Sequence, residues 1–336
     1  SLFLSTAQAQ WEYINSPQQN INDVLILPND KIIAGTNSGV YFSTDNGNSW
    51  DTTSISNNTN LLRRDNLGNL YSSSGSLYKS IDSGQTWIQL TVESVTGIYI
   101  NNLNHIIVLA NSFGGLEVFK STNLGNTWIR LEVIAVSSIT TYGITEDSER
   151  SIYFSYSDYH YGFKRVEKKG VNGSFSIVLN GIVVPNVYNF EDNIYLATSG
   201  YGIYKSSDYG VTLNQINNGL NSYYVKQILF SPEVFICLTG DGVYKSLDRG
   251  NNWTRVDHTG LNSTINSIYY NDSGDLYACT QNGLYQFTGV LPVELLNFTS
   301  THRRGIITLN WSTATELNNQ GFEIQRKTEN SDWVTI

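Results

Sequence analysis

Four aspartates recur in one setting along this chain of 336 residues. Asp45, Asp82, Asp208 and Asp248 each follow a serine by two positions (Ser43, Ser80, Ser206, Ser246) and precede a glycine by two (Gly47, Gly84, Gly210, Gly250). Such carboxylates could serve as metal ligands or as acids. They could equally be turn clamps, because short polar side chains cap nearby backbone N–H groups and glycine takes positive φ freely. A fifth copy, Ser121, Asn123 and Gly125, separates the two readings. An amide still caps a turn but is a poor acid, so the pattern reads as structural. Other reactive sets are missing. His105, His160, His258 and His302 lie far apart without ligand spacing. No Ser-His-Asp arrangement and no glycine-rich phosphate loop can be picked out, so neither a metal nor a cofactor is expected. The remaining candidates are Phe113, Tyr156, Asp158, Tyr159, His160, Tyr161, Tyr201 and Asp241, which fall between strands. Flat rings that stack on sugar CH groups, beside carboxylates that hold hydroxyls, suit a sugar-binding surface. The bland alternative is that these tyrosines only cover sheet edges. Asp158 and Asp241 are the best available pair if the chain hydrolyses glycosides with two carboxylates.

The elements that must hold these residues are strands. Gly242-Val243-Tyr244-Lys245-Ser246 alternates with the period of a strand, and the serine–aspartate–glycine turn follows it. Trp253 then starts a further strand and supplies a large apolar face, as Trp50, Trp87 and Trp128 do after their turns; Leu213 stands in the remaining copy. Two aromatic or apolar markers recur about every 40 residues. One is Tyr41, Tyr78, Phe119, Phe163, Tyr204, Tyr244 and Tyr285; the other is Ile33, Tyr71, Ile107, Tyr153, Tyr195, Phe235 and Tyr277. Seven all-strand units of this length predict an all-β, seven-bladed β-propeller of four-stranded blades over 10–289. The seventh unit, 261–289, has only three strands of its own. Trp11-Glu12-Tyr13-Ile14 resembles the outer strands that begin at Trp87 and Trp128, so 11–14 is expected to close that blade. Closure removes two exposed sheet edges. The fourth unit is irregular, with a longer aromatic loop at 155–161 and a plain hairpin turn in place of the serine–aspartate–glycine turn.

Composition narrows the function. The formal charge is −9, from 20 basic and 29 acidic side chains. That argues against nucleic acid, which selects clustered Lys and Arg. No apolar run approaches a membrane span. The chain has no methionine and reads as a fragment or a processed form. Leu2-Phe3-Leu4 followed by Ala7-Gln8-Ala9 reads as the remnant of a secretion signal over 1–9, leaving Gln10 as the mature N-terminus. Cys237 and Cys279 are expected as buried free thiols, although an exported protein permits a disulfide. From Leu291 onward, alternating strands with a tryptophan on the second suit an incomplete fibronectin or immunoglobulin-like sandwich over 291–336.

Ser80 to Trp87 matches the Asp-box (BNR repeat) at every defined position, and the copies together resemble Asp-box propellers. That group includes sialidases, xyloglucanases and non-catalytic photosystem II assembly factors. The chain lacks the Arg-Ile-Pro sequence of sialidases, and one propeller supplies half of a xyloglucanase cleft. The regular spacing fits the assembly-factor type. Leu291-Pro292-Val293-Glu294-Leu295 and Leu309 to Ile324 resemble a fibronectin-like module of large secreted Bacteroidetes proteins. The resemblance implies export by the type IX route and a place outside the cell or on its outer surface. The expected function is therefore non-catalytic binding of a glycan or protein partner through the loop face. A glycoside hydrolase is the alternative.

Overall fold

In a computed structural model of the chain, the described residues are 11–17, 20–112, 115–135, 139–261, 263–288, 295–303, 306–313, 325–326 and 334–335. The expected leader remnant, Phe113, and residues 289–294 lie outside them. Their regular structure is all β. β1 (Trp11–Ile14) comes first. The first sheet is β2 (Ile21–Ile26), β3 (Ile32–Thr36), β4 (Gly39–Ser43) and β5 (Asp51–Thr52). The second is β6 (Leu61–Arg64), β7 (Leu70–Ser74), β8 (Ser76–Ser80) and β9 (Ile88–Glu93). β10 (Val95–Ile100), β11 (Ile106–Ser112), β12 (Gly115–Ser121) and β13 (Ile129–Ile134) make the third. The fourth holds β14 (Ile139–Glu146), β15 (Ile152–Asp158), β16 (Phe163–Lys169) and β17 (Phe175–Asn180). The fifth holds β18 (Asn186–Phe190), β19 (Asn193–Thr198), β20 (Gly202–Ser206) and β21 (Asn214–Gln215). The sixth has β22 (Val225–Phe230), β23 (Phe235–Thr239), β24 (Gly242–Ser246) and β25 (Thr254–Arg255). The seventh runs β26 (Ile265–Tyr270), β27 (Leu276–Thr280) and β28 (Gly283–Phe287), and its fourth strand is β1. First strands of successive sheets touch, from β2 and β6 around to β26 and back to β2. The molecule is a seven-bladed β-propeller with four-stranded blades.

The closing strand is antiparallel to β28, with Trp11 opposite Phe287 and Tyr13 opposite Tyr285. Trp11 is buried, its ring centroid 5.1 Å from that of Phe287, and its indole N–H donates to the Asp257 carbonyl at 2.9 Å. The apolar side chains divide among seven clusters, one in each seam between neighbouring blades. Second strands such as β3, β7, β23 and β27 are buried along their whole length, because each packs on a blade to either side. The seam between blades three and four also holds a charge. Buried Glu146 accepts from Lys120 at 2.6 Å, Asn101 at 2.7 Å and Arg150 at 3.0 Å. Cys237 and Cys279 are buried free thiols.

The serine–aspartate–glycine segments form turns between third and fourth strands, and the turn at Asp208 is typical. The Ser206 hydroxyl donates to Asp208 at 2.7 Å, while the N–H of Gly210 donates back to that hydroxyl at 2.8 Å. The Asp208 carboxylate then accepts from the N–H and hydroxyl of Thr212 at 2.8 and 2.7 Å. Ser43 with Asp45, Ser80 with Asp82, and Ser246 with Asp248 repeat the first contact at 2.8 Å. Ser121 with Asn123 repeats it at 3.0 Å. Four of the turn glycines seat at or beside the outer strand of the preceding blade, while Gly84 seats on Ile33 of its second strand. A Cβ on Gly250 would lie 2.7 Å from Ile216 Cδ1, and one on Gly47 would lie 2.4 Å from Ile14 Cγ2. Both have positive φ, +90° and +84°. The tryptophans seal these turns: the indole N–H of Trp50 donates to the carbonyls of Asn15 and Gly47, that of Trp87 to Gly84, that of Trp128 to Gly125, and that of Trp253 to Ile216.

Two sequence markers are displaced by the register. Ile236, not Phe235, faces Leu229 as Ile33 faces Leu25. In blade four, Phe154 pairs with Glu167 where Ala34 pairs with Tyr41 in blade one, so Glu167 rather than Phe163 is the equivalent position. Toward the chain's end, β29 (Leu295–Arg303) pairs antiparallel with β30 (Ile306–Thr313), and β31 (Gln325–Arg326) with β32 (Val334–Thr335). Two such hairpins do not establish the expected sandwich.

Candidate ligand-binding face and central channel

Antiparallel order puts the loops joining second to third strands on one face and the serine–aspartate–glycine turns on the other. On the loop face, blade four stands out. Its β15–β16 pairing runs on to Asp158 opposite Phe163, two residues past Tyr156, which corresponds to Thr36 where blade one stops. The lengthened tip carries an aromatic run. Tyr159 and Tyr161 are 64% and 61% exposed, and His160 is exposed between them. The His160 ring meets the Tyr161 ring edge-on at 4.7 Å, Tyr161 stacks on Phe163 at 6.0 Å, and the Arg165 guanidinium lies 4.0 Å over Phe163. The Tyr159 hydroxyl has Tyr142 and Thr140 of β14 as its polar neighbours. A second exposed group is Tyr201, Tyr223 and Tyr224. The Tyr223 carbonyl accepts from the N–H groups of Gly200 and Gly202, which holds these three in one corner.

Other sequence candidates turn away from solvent. Tyr156 is 3% exposed and donates to Glu167 at 2.8 Å; burial first, then the Glu167 charge, pushes its pKa up to about 12. It is a seam residue packed with Leu116 and Phe154, at the position where Thr36, Thr239 and Thr280 are buried in other blades. Asp158 is 1% exposed and accepts from the backbone N–H groups of His160 and Tyr161 at 2.9 and 3.2 Å. Asp241 accepts from Thr239 at 2.6 Å and from Tyr244 at 2.8 Å. Partial burial would raise its pKa, but those two hydrogen bonds outweigh burial and hold it below the usual carboxylate range. The two aspartates lie on blades four and six, each tied within its own hairpin. No cluster of His, Cys, Asp and Glu among the described residues could hold a metal ion.

The sequence reading missed the charges of the central channel. A cavity of about 800 Å³ is lined by first strands of blades one, two, five, six and seven. Arg63 pairs with Asp23 at 3.0 Å and Arg64 with Asp272 at 2.8 Å across its wall. Burial raises the pKa of Asp23 more than Arg63 lowers it. A repeated clamp lies nearer the loop face. Asn22, Lys226 and Asn266 each sit where the register slips by one residue between first and second strands. The extra residue turns its side chain toward the next blade. Asn22 donates to the Thr59 carbonyl at 3.1 Å, Lys226 to that of Ile265 at 2.9 Å, and Asn266 to that of Ile21 at 2.8 Å. The signal was present in the sequence as an apolar residue followed by a polar one at the start of each of these first strands: Ile21-Asn22, Val225-Lys226, Ile265-Asn266.

No protein-family model and no curated protein matches the chain. Solved structures do. The extracellular domain of a putative one-component system from B. thetaiotaomicron is 11% identical with a TM-score of 0.65, over 87% of this chain and 41% of that one. This chain therefore spans well under half the length of that protein. YCF48 from Cyanidioschyzon merolae is 12% identical with a TM-score of 0.62, covering 83% of this chain and 98% of that one. Virginiamycin B lyase from Staphylococcus aureus is 10% identical with a TM-score of 0.64, covering 84% and 100%. At such identities the likeness establishes the propeller fold alone.

Proposed function

We propose that the chain is an Asp-box propeller that binds a glycan or protein partner without catalysis, through its loop face. The observation that carries this reading is the lengthened tip of blade four, where Tyr159, His160 and Tyr161 stand exposed on a stack anchored by Phe163 and Arg165. Large aromatic side chains left in water on a rigid support offer apolar area and a polar edge at little entropic cost. Tyr201, Tyr223 and Tyr224 on the same face offer a second contact point. Structures of similar fold give the reading company: sensor domains described as extracellular, and a form of YCF48 described as bound to D1 peptide. Export by the type IX route, a fibronectin-like module over 291–336, and a place outside the cell belong to the same reading.

A glycoside hydrolase would need Asp158 and Asp241 as its working pair. Burial and backbone hydrogen bonds at Asp158, and the hydroxyl partners of Asp241, count against that role. The test is a glycan array probed with the wild-type chain and with Tyr159→Ala. The expected result is loss of bound signal by about tenfold or more, the scale of one aromatic anchor. Unchanged glycan binding removes the blade-four tip from the site.

A further inference from the structure

We propose that the central channel is a second binding site, for a small hydroxylated carboxylate of the size and kind of a uronic acid, with Lys226 as its charge anchor. The argument begins with the clamp shared by Asn22, Lys226 and Asn266. Each side chain bridges to the carbonyl that precedes its counterpart or its equivalent in the next blade. An amide performs that task in blades one and seven with no charge. In blade six the same task is done by an ammonium group, which carries three donors and commits one of them to the Ile265 carbonyl. The charge is therefore surplus to the clamp.

The surrounding charges leave it available. Arg63 and Arg64, the other cations of the channel wall, are paired with Asp23 and Asp272. No carboxylate among the described residues lies within ion-pair distance of Lys226. The chain as a whole is negative, so a lysine on this wall acts locally, on a ligand that has entered the narrow channel. Beside apolar lining such as Ile228 and Ile268, the uncharged polar groups of the wall are mainly amides: Asn22, Asn60, Asn186, Gln227 and Asn266. Asn186 and Gln227 spend their amide N–H groups on the carbonyls of Lys226 and Ile268, and Asn22 and Asn266 spend theirs on the clamp. The oxygens of Asn22, Asn186 and Asn266 remain as acceptors, which hydroxyl groups satisfy. A cavity of about 800 Å³ falls in the range that holds one small molecule rather than a folded partner. A carboxylate for the ammonium and hydroxyls for the amides together define the ligand.

This site does not depend on the blade-four tip, and the experiment keeps the two apart. The whole chain is titrated calorimetrically with sodium D-glucuronate, with D-glucose as the uncharged arm and an N-acetylated acidic tripeptide as the peptide arm. Glucuronate is expected to bind at one site, at least about tenfold more tightly than glucose. Lys226→Gln, which can still donate to the Ile265 carbonyl, is expected to weaken glucuronate by at least about tenfold and leave the melting temperature in place. Lys226→Arg should retain binding, and Tyr159→Ala should leave glucuronate affinity unchanged. The proposal is overturned if glucuronate gives no heat up to about 10 mM, weaker than any ordinary site. It is equally overturned if Lys226→Gln binds like wild type, or if the tripeptide binds more tightly than the sugar acid.

Discussion

Asp82 and Asn123 hold equivalent turns with different chemistry. The Asp82 carboxylate accepts from the Thr86 N–H at 2.9 Å, and the Asn123 side-chain oxygen accepts from the Thr127 N–H at the same distance. Where the Thr86 hydroxyl donates to Asp82, the Asn123 amide donates to the Thr127 hydroxyl at 2.9 Å. The direction of one hydrogen bond reverses and the turn survives. Asp82→Asn is therefore expected to change stability at pH 7 by less than about 1 kcal/mol, measured by urea unfolding. Acid separates the two. Slight burial opposes ionisation of Asp82, but the bonds from Thr86 and Ser80 outweigh it and hold its pKa at about 2. A depressed folded pKa means stability that is present above the unfolded value and lost as pH falls toward the folded one. Between pH 4 and 2 the wild type should lose stability that Asp82→Asn keeps, and parallel unfolding curves at both pH values would contradict it. Glu146 makes the opposite case, because its partners sit in a seam. Burial would raise its pKa, yet Lys120, Asn101 and Arg150 hold it below the usual range. Glu146→Gln leaves two cations facing a neutral group, an expected loss of about 3 kcal/mol, at the low end because both cations reach solvent. Chemical denaturation at pH 7 measures it.

At the scale of strands, legibility followed the hydrophobic period. Trp11-Glu12-Tyr13-Ile14 could be compared with other outer strands because those strands share a leading tryptophan and an apolar residue three positions on. In the structure this segment pairs with β28. Blade four hid its register for a physical reason. Phe163 and Glu167 are separated by an even number of residues, so a strand slid between them keeps every side chain on its own face. Alternation alone cannot detect that slip. Phe235 and Ile236 failed differently: β23 is buried on both faces, so no polar side marks its parity. The channel residues were hard to see for a related reason, since Arg63 and Lys226 become neighbours of one cavity only once blades two and six face across the axis. The closing strand offers the sharpest element-level test. Trp11→Ala removes a buried ring and the bond to Asp257, an expected loss of about 3–5 kcal/mol. Tyr13→Ala, on the same face but beyond the seam and 54% exposed, should cost under about 1 kcal/mol. Equal effects in thermal melts would mean that the strand's burial is not what holds it.

Across the whole molecule, the core is distributed over seven seams, and each blade leans on two neighbours. An open stack of repeats has two end units with one neighbour each; pairing β1 with β28 leaves none. Deleting residues 10–16 exposes the edge of β28 and uncovers Gly47, which seats against Ile14. The expected result is a single transition shifted down by at least about 6 °C, because a local loss is shared around the ring. An unchanged melting temperature would refute the coupling. The same pairing orders events in time. Trp11 bonds to a residue 246 positions later in the chain, so β1 meets its partner only after the intervening blades have been made. At ordinary translation rates that delay is on the order of tens of seconds. Throughout it the indole of Trp11 has no pocket, and a chain stalled before Phe287 keeps β1 unpaired for chaperones to hold.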